Sequence, residues 1–184
     1  MFDRGRCRRH DKSDTAIQKS DHTSQPAAIR GGRGTLFARG ASLDSMNYRE
    51  VESSAEYVAR LETGADWREE IESLARAEDV EAGWFTAMGA VQDADIWFYD
   101  QEETEYQSVT FDEPLEVAAC VGNVSLLEDE VFAHTHAVLS RPSGQALAGH
   151  LDSATVWAGE VYLRAFEEPL ERAHDEATDL DLWL

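Results

Sequence analysis

Three of the six histidines, His134, His136 and His150, fall in one short segment, Val131-Phe-Ala-His-Thr-His-Ala-Val-Leu-Ser-Arg-Pro-Ser-Gly-Gln-Ala-Leu-Ala-Gly-His-Leu151. Neutral imidazole suits a borderline divalent ion such as zinc, and three imidazoles leave a fourth position to water or another group. Metal chemistry therefore requires that the three rings converge. The competing reading takes them as ordinary sheet histidines, hydrogen-bonded or at a subunit contact, with Val131, Phe132, Val138 and Leu139 marking a buried strand.

Convergence is a matter of register. Arg141-Pro142-Ser143-Gly144-Gln145 fits a three-residue hairpin loop, with Pro at the first turn position and Gly where a left-handed residue is needed. That loop sets Arg141 opposite Gln145. Counting back along both arms puts His136 opposite His150, and His134 lies two residues away on the same face because strand side chains alternate. A loop longer or shorter by one residue sends His150 to the other face. A bulge at Gly149 would also disturb the pairing.

The surrounding elements follow from pattern. Residues 1–45 are polar and rich in Gly, Ser and Arg, too poor in buryable surface to fold alone. They read as a basic disordered tail, a linker, or a mis-assigned upstream extension, and Arg30-Gly-Gly-Arg-Gly34 only weakly resembles an arginine-glycine box or AT-hook core. From Met46 to Leu184 the chain reads as one domain. Glu50 to Leu61 suggests one or two opening strands. Asp66 with Glu69 makes a capping box, and Trp67, Ile71, Leu74 and Ala75 form an apolar stripe, so the spacing predicts an amphipathic helix over 67–80 that Gly83 ends. Short runs rich in aromatic and β-branched residues follow at 84–91, 94–99, 106–111, 115–121, 131–139, 145–151 and 155–166, and a short strand is expected at 180–184. One helix among many strands predicts an α+β domain, mainly antiparallel sheet.

Charge separates the two regions. Residues 1–45 carry nine Lys and Arg against five Asp, whereas the remaining 139 carry seven Arg, no Lys and 32 acids, for a net charge of −21 overall. An acid-rich, lysine-free domain has the composition of a halophilic protein, in which dense carboxylates hold water and salt screens their repulsion. Scattered arginines suit a phosphate backbone poorly. No stretch approaches the roughly 20 apolar residues of a membrane helix, and Arg8-Arg9 has no apolar segment behind it, so a cytoplasmic location with no membrane partner is expected. Cys7 and Cys120 make no disulfide framework, and Cys120 reads as a small buried residue.

Several pieces together resemble the PPC domain, found after AT-hooks in plant nuclear proteins and alone in bacteria and archaea. They are Gly83-Trp-Phe-Thr-Ala-Met-Gly-Ala-Val91, Tyr106, Glu113-Pro-Leu-Glu-Val117, Gly122-Asn123, His134-Thr-His136, Gly149-His150-Leu151 and Gly159-Glu-Val161, in family order. The resemblance implies an antiparallel α+β fold, a homotrimer, a DNA-binding or regulatory role, and a candidate metal site at His134, His136 and His150. A proper AT-hook is missing here. The cupin pattern also uses His-x-His, but it places Glu where this chain has Ser140 and Arg141.

Two functions follow. The first is a stand-alone PPC module, DNA-associated or regulatory, with zinc or another divalent metal on the three histidines. The alternative is a metal-dependent enzyme, using zinc or iron on the same histidines for hydrolytic or similar chemistry, with Asp152 or Glu160 as base. Trp97, Phe98 and Tyr99 form either a stacking surface for bases or a ligand, or part of a core or trimer interface.

Overall fold

The computed structural model describes residues 47–183; the basic stretch 1–45, with Cys7, His10 and His22, lies outside the described residues. The α+β expectation holds. The elements run β1 (Ser53–Leu61), α1 (Trp67–Ala77), β2 (Gly83–Val91), β3 (Ala94–Asp100), β4 (Glu105–Phe111), β5 (Leu115–Leu127), β6 (Glu130–Ser140), β7 (Ala146–Ser153), β8 (Val156–Phe166), β9 (Arg172–Asp175) and β10 (Leu180–Trp183). The first eight strands form one antiparallel sheet in the order β1-β8-β2-β5-β6-β7-β3-β4, and β9 and β10 pair as a hairpin. Among the described residues, no helix is long and apolar enough to cross a membrane.

Alternation along the strands divides the sheet into two faces. One face packs on α1, whose Trp67, Ile71 and Ala75 are buried with Phe85, Leu139, Leu151 and Leu163 in a continuous core. The helix starts where expected, with Asp66 Oδ1 accepting from the Glu69 amide at 2.9 Å. It contains the whole apolar stripe but stops at Ala77, short of the expected end at residue 80. Asp79 takes a left-handed φ of 54° and ends it without glycine, while Gly83 instead opens β2.

Pairing across the sheet aligns one row of residues on the face away from the helix. Val58 pairs with Tyr162, Tyr162 with Thr86, Thr86 with Val121, Val121 with His136, His136 with His150, and His150 with Trp97. Val138, read from sequence as part of a buried strand, belongs to this outer face and is 39% exposed, whereas Leu139 is fully buried. Gly149 stays in register opposite Ala137. β3 passes so close to it that a Cβ there would stand 2.6 Å from Ile96 Cγ2.

Gly122 lies under the His134 backbone, where an added Cβ would meet the His134 carbonyl oxygen and Phe85 Cζ, each at 2.3 Å. Neither neighbour has room to retreat. Gly122→Ala is expected to lower unfolding free energy by about 3 kcal/mol through overpacking, read as a shifted urea midpoint. Gly144→Ala meets no atom within 4 Å and has only its left-handed φ of 81° to strain, so its cost is smaller, about 1 kcal/mol. Equal midpoints for the two variants would contradict this account.

Candidate metal centre

The turn forms as its residues dictate. Arg141 N donates to the Gln145 carbonyl at 3.0 Å, Gly144 N donates to the Arg141 carbonyl at 2.8 Å, and Gly144 supplies the left-handed residue. Ser140 then faces Ala146, and the ladder runs to His136 opposite His150. There it ends. β7 pairs onward with β3, while residues 130–135 of β6 keep only β5 beside them in the sheet. Glu72 of α1 covers part of that edge, its carboxylate accepting from the Ala133 amide at 3.0 Å. Burial raises the Glu72 pKa, against the opposing pull of this hydrogen bond and the nearby Arg68 and Arg76.

Beyond the last β6–β7 pair, the three sequence-predicted histidines meet. Their candidate donor nitrogens lie within 4.8 Å of one another. Ring centroids are 5.1 Å apart for His134 and His136, 5.1 Å for His134 and His150, and 5.6 Å for His136 and His150. Two nitrogens on a tetrahedral zinc stand about 3.4 Å apart, so seating an ion takes small ring rotations.

The site favours neutral imidazole. Burial, aided by the Arg172 guanidinium and the other two rings, lowers the His134 pKa to about 4. Burial also lowers His150 to about 4, with His136, Arg68 and Arg172 adding, and burial lowers His136. A neutral ring offers a lone pair rather than a charge. His150 Nδ1 is buried with no hydrogen-bond partner. An unpaired buried nitrogen is costly, and a cation would satisfy it. The donor set therefore fits a borderline divalent metal.

A cavity of about 410 Å³ opens beside His134 and His150, with Trp97, Tyr106, Phe132 and Arg172 in its walls. Trp97 and Tyr106 pack around His150 at centroid distances of 6.1 and 5.7 Å, and Phe132 stacks on His134 at 6.5 Å. Of the aromatic trio noted in the sequence, Trp97 faces this cavity. Tyr99 packs on Tyr106 and donates to the Thr178 carbonyl at 2.8 Å, while Phe98 is 68% exposed. Sequence reasoning missed Arg68, Phe132 and Arg172 as site residues. The available signal was the rarity of cations after residue 45 together with period-two placement of Phe132 beside His134 and His136.

The two carboxylates considered as bases are not brought to the histidines as free groups. Asp152 lines the cavity but accepts from Arg68 at 3.3 Å. Glu160 is on β8, with β2 and β5 between it and β6. The catalytic reading gains no support from these positions. Cys120 is 2% exposed, and burial raises its thiol pKa to about 12, as expected for a small core residue rather than a nucleophile.

A helix-backed antiparallel sheet carrying His-x-His beside Gly-His defines a class of small α+β domains with a histidine cluster. The model of the Plants and Prokaryotes Conserved domain matches residues 48–167, and the chain belongs to that family. A metal-containing protein from Archaeoglobus fulgidus is similar at 39% identity, covering 76% of this chain and 99% of its own, with a TM-score of 0.73. A plant- and prokaryote-conserved protein from Pyrococcus horikoshii aligns at 26% identity over 76% of this chain and 97% of its own, with a TM-score of 0.72. A candidate DNA-binding protein from Bacteroides thetaiotaomicron, 23% identical over 72% of this chain and 96% of its own with a TM-score of 0.66, shares the fold. Comparison with curated proteins gave no match.

The lowered histidine pKa values set a pH dependence. Since both fall below 6.5, the unfolded chain takes up protons first, so stability present above about pH 6.5 is lost as pH falls toward 4. In metal-free protein, wild type should lose stability over this window relative to His134→Gln/His150→Gln, with a limiting slope of about 1.4 kcal/mol per pH unit per histidine. Urea melts at several pH values measure the difference, and parallel curves would count against the buried neutral pair.

Proposed function

We propose that the chain is a PPC module, DNA-associated or regulatory in role, that binds a divalent metal through His134, His136 and His150. The convergence of three neutral imidazoles at the end of the β6–β7 ladder carries this reading. The metal-containing name of the Archaeoglobus relative supports it. Zinc suits the all-nitrogen donor set, and a bound ion would supply a Lewis acid or a structural tie between the two strands.

The reading includes a homotrimer. Val58, Met88, Val121 and Val138 are 84%, 61%, 42% and 39% exposed on the outer sheet face, an apolar stripe that reaches His136. Subunit contact along this stripe would bury it and bring the metal site to the edge of the interface. Light scattering should give three times the chain mass, and Val121→Asp should reduce it. A monomeric wild type would exclude the assembly.

DNA association is proposed on the names of relatives, and the charge distribution argues for an indirect route. Arg68, Arg76, Arg141 and Arg164 each pair with a carboxylate, so their charge is already answered within the domain. The lysine-free, acid-rich composition also fits a protein working at high salt. Residues 46–184 are expected not to bind duplex DNA at moderate salt. Retention that weakens steeply as salt rises would instead establish direct phosphate contact.

Elemental analysis should find one divalent ion per chain, and His136→Ala should weaken its retention about tenfold or more, equivalent to ~1.4 kcal/mol or more. No bound metal in either form, even after incubation with zinc, would sink the metal assignment.

A further inference from the structure

Arg172 opens β9 and lines the cavity beside the histidines. Its Nε donates to Ser125 Oγ at 2.9 Å, one Nη to Asn123 Oδ1 at 2.7 Å, and the other Nη to the Asp181 carbonyl at 2.8 Å. All three acceptors are neutral. A guanidinium carries five N–H donors, so two remain beyond these bonds. The ion pairs among the described residues include none to Arg172, Arg49 or Arg60, whereas Arg68, Arg76, Arg141 and Arg164 each have a carboxylate partner; of the three without one, Arg172 lines the cavity.

No nearby carboxylate forms an ion pair with Arg172, and Asp181 acts on it only at longer range. Asp152 contacts Arg68, while Asp179 and Asp181 direct their carboxylates toward His174 at 3.5 Å. His134 and His150 favour the neutral form. Burial lowers the Arg172 pKa, while the Asp181 carboxylate and Tyr106 pull it the other way without forming an ion pair. In a chain of net charge −21, a cation beside a cavity with no carboxylate in ion-pair contact and two spare N–H donors marks a place for an anion.

The remaining walls describe the rest of the ligand. Trp97 and Tyr106 stand beside Leu127, Leu180 and Leu182, and Phe132 lies 5.3 Å beneath the Arg172 guanidinium. The geometry points to a binding site for a small organic carboxylate with a flat apolar body, its carboxylate on Arg172 and its body against the aromatic walls. A volume of about 410 Å³ admits such a molecule. This goes beyond the metal reading and does not require it, since Arg172 and the aromatic walls belong to the chain whether or not an ion sits on the histidines.

Isothermal titration of the full chain with 2-naphthoate and its neutral amide, 2-naphthamide, tests the site, first after chelator treatment and then with zinc added. Naphthoate should bind at least about tenfold tighter than naphthamide, equivalent to ~1.4 kcal/mol, and Arg172→Gln should remove that preference. Equal affinities in wild type, no naphthoate binding in either metal state, or a preference that survives in Arg172→Gln would overturn the proposal. Should that variant fail to fold, the naphthoate to naphthamide ratio of the wild-type chain still decides. Naphthoate preference in a chain that retains no zinc would sink the metal reading alone; zinc retention without preference would sink the carboxylate site alone.

Discussion

The two hydrogen bonds that close the Pro142-Ser143-Gly144 turn set the parity on which the site depends. A strand has only two faces, so a hairpin register either brings His150 to His134 and His136 or turns it into the core. Gly144 makes the first outcome accessible by taking a conformation that residues with a Cβ adopt at a cost. The rest follows by counting. His136 faces His150 across the ladder, Trp97 extends the row on the next strand, and His134 occupies the adjacent row opposite Asn123.

The hairpin, the helix start and the α+β architecture were legible because each is written locally. Turn chemistry covers five residues, a capping box covers four, and alternation needs only one strand. The helix end was not legible in the same way. Asp79 adopts a left-handed conformation that its residue type permits but does not announce, so taking Gly83 as the terminator overstated the helix. β5 likewise runs on to Leu127 because β6 remains beside it as far as Glu130, a tertiary partner that the residues after Val121 do not reveal.

The cavity required contacts that sequence proximity cannot supply. Glu72 reaches Ala133 across 61 positions, and Arg172 reaches Ser125 across 47. Both are ordinary charged residues in a charged chain until the fold closes. Composition did carry one useful clue. In a region with seven arginines, four pair with carboxylates, and Arg172 differs from them by resting on neutral oxygens.

The parting of β7 from β6 after the His136–His150 pair creates the opening without relying on a loop. Much of its rim consists of strands held by ladder bonds, with Glu72 bridging helix and sheet at Ala133. Such a rim is preorganised. A molecule entering it meets side chains already mounted on paired backbone, so little ordering entropy is lost on association, and selectivity rests on the fit of charge and shape rather than on folding around the guest.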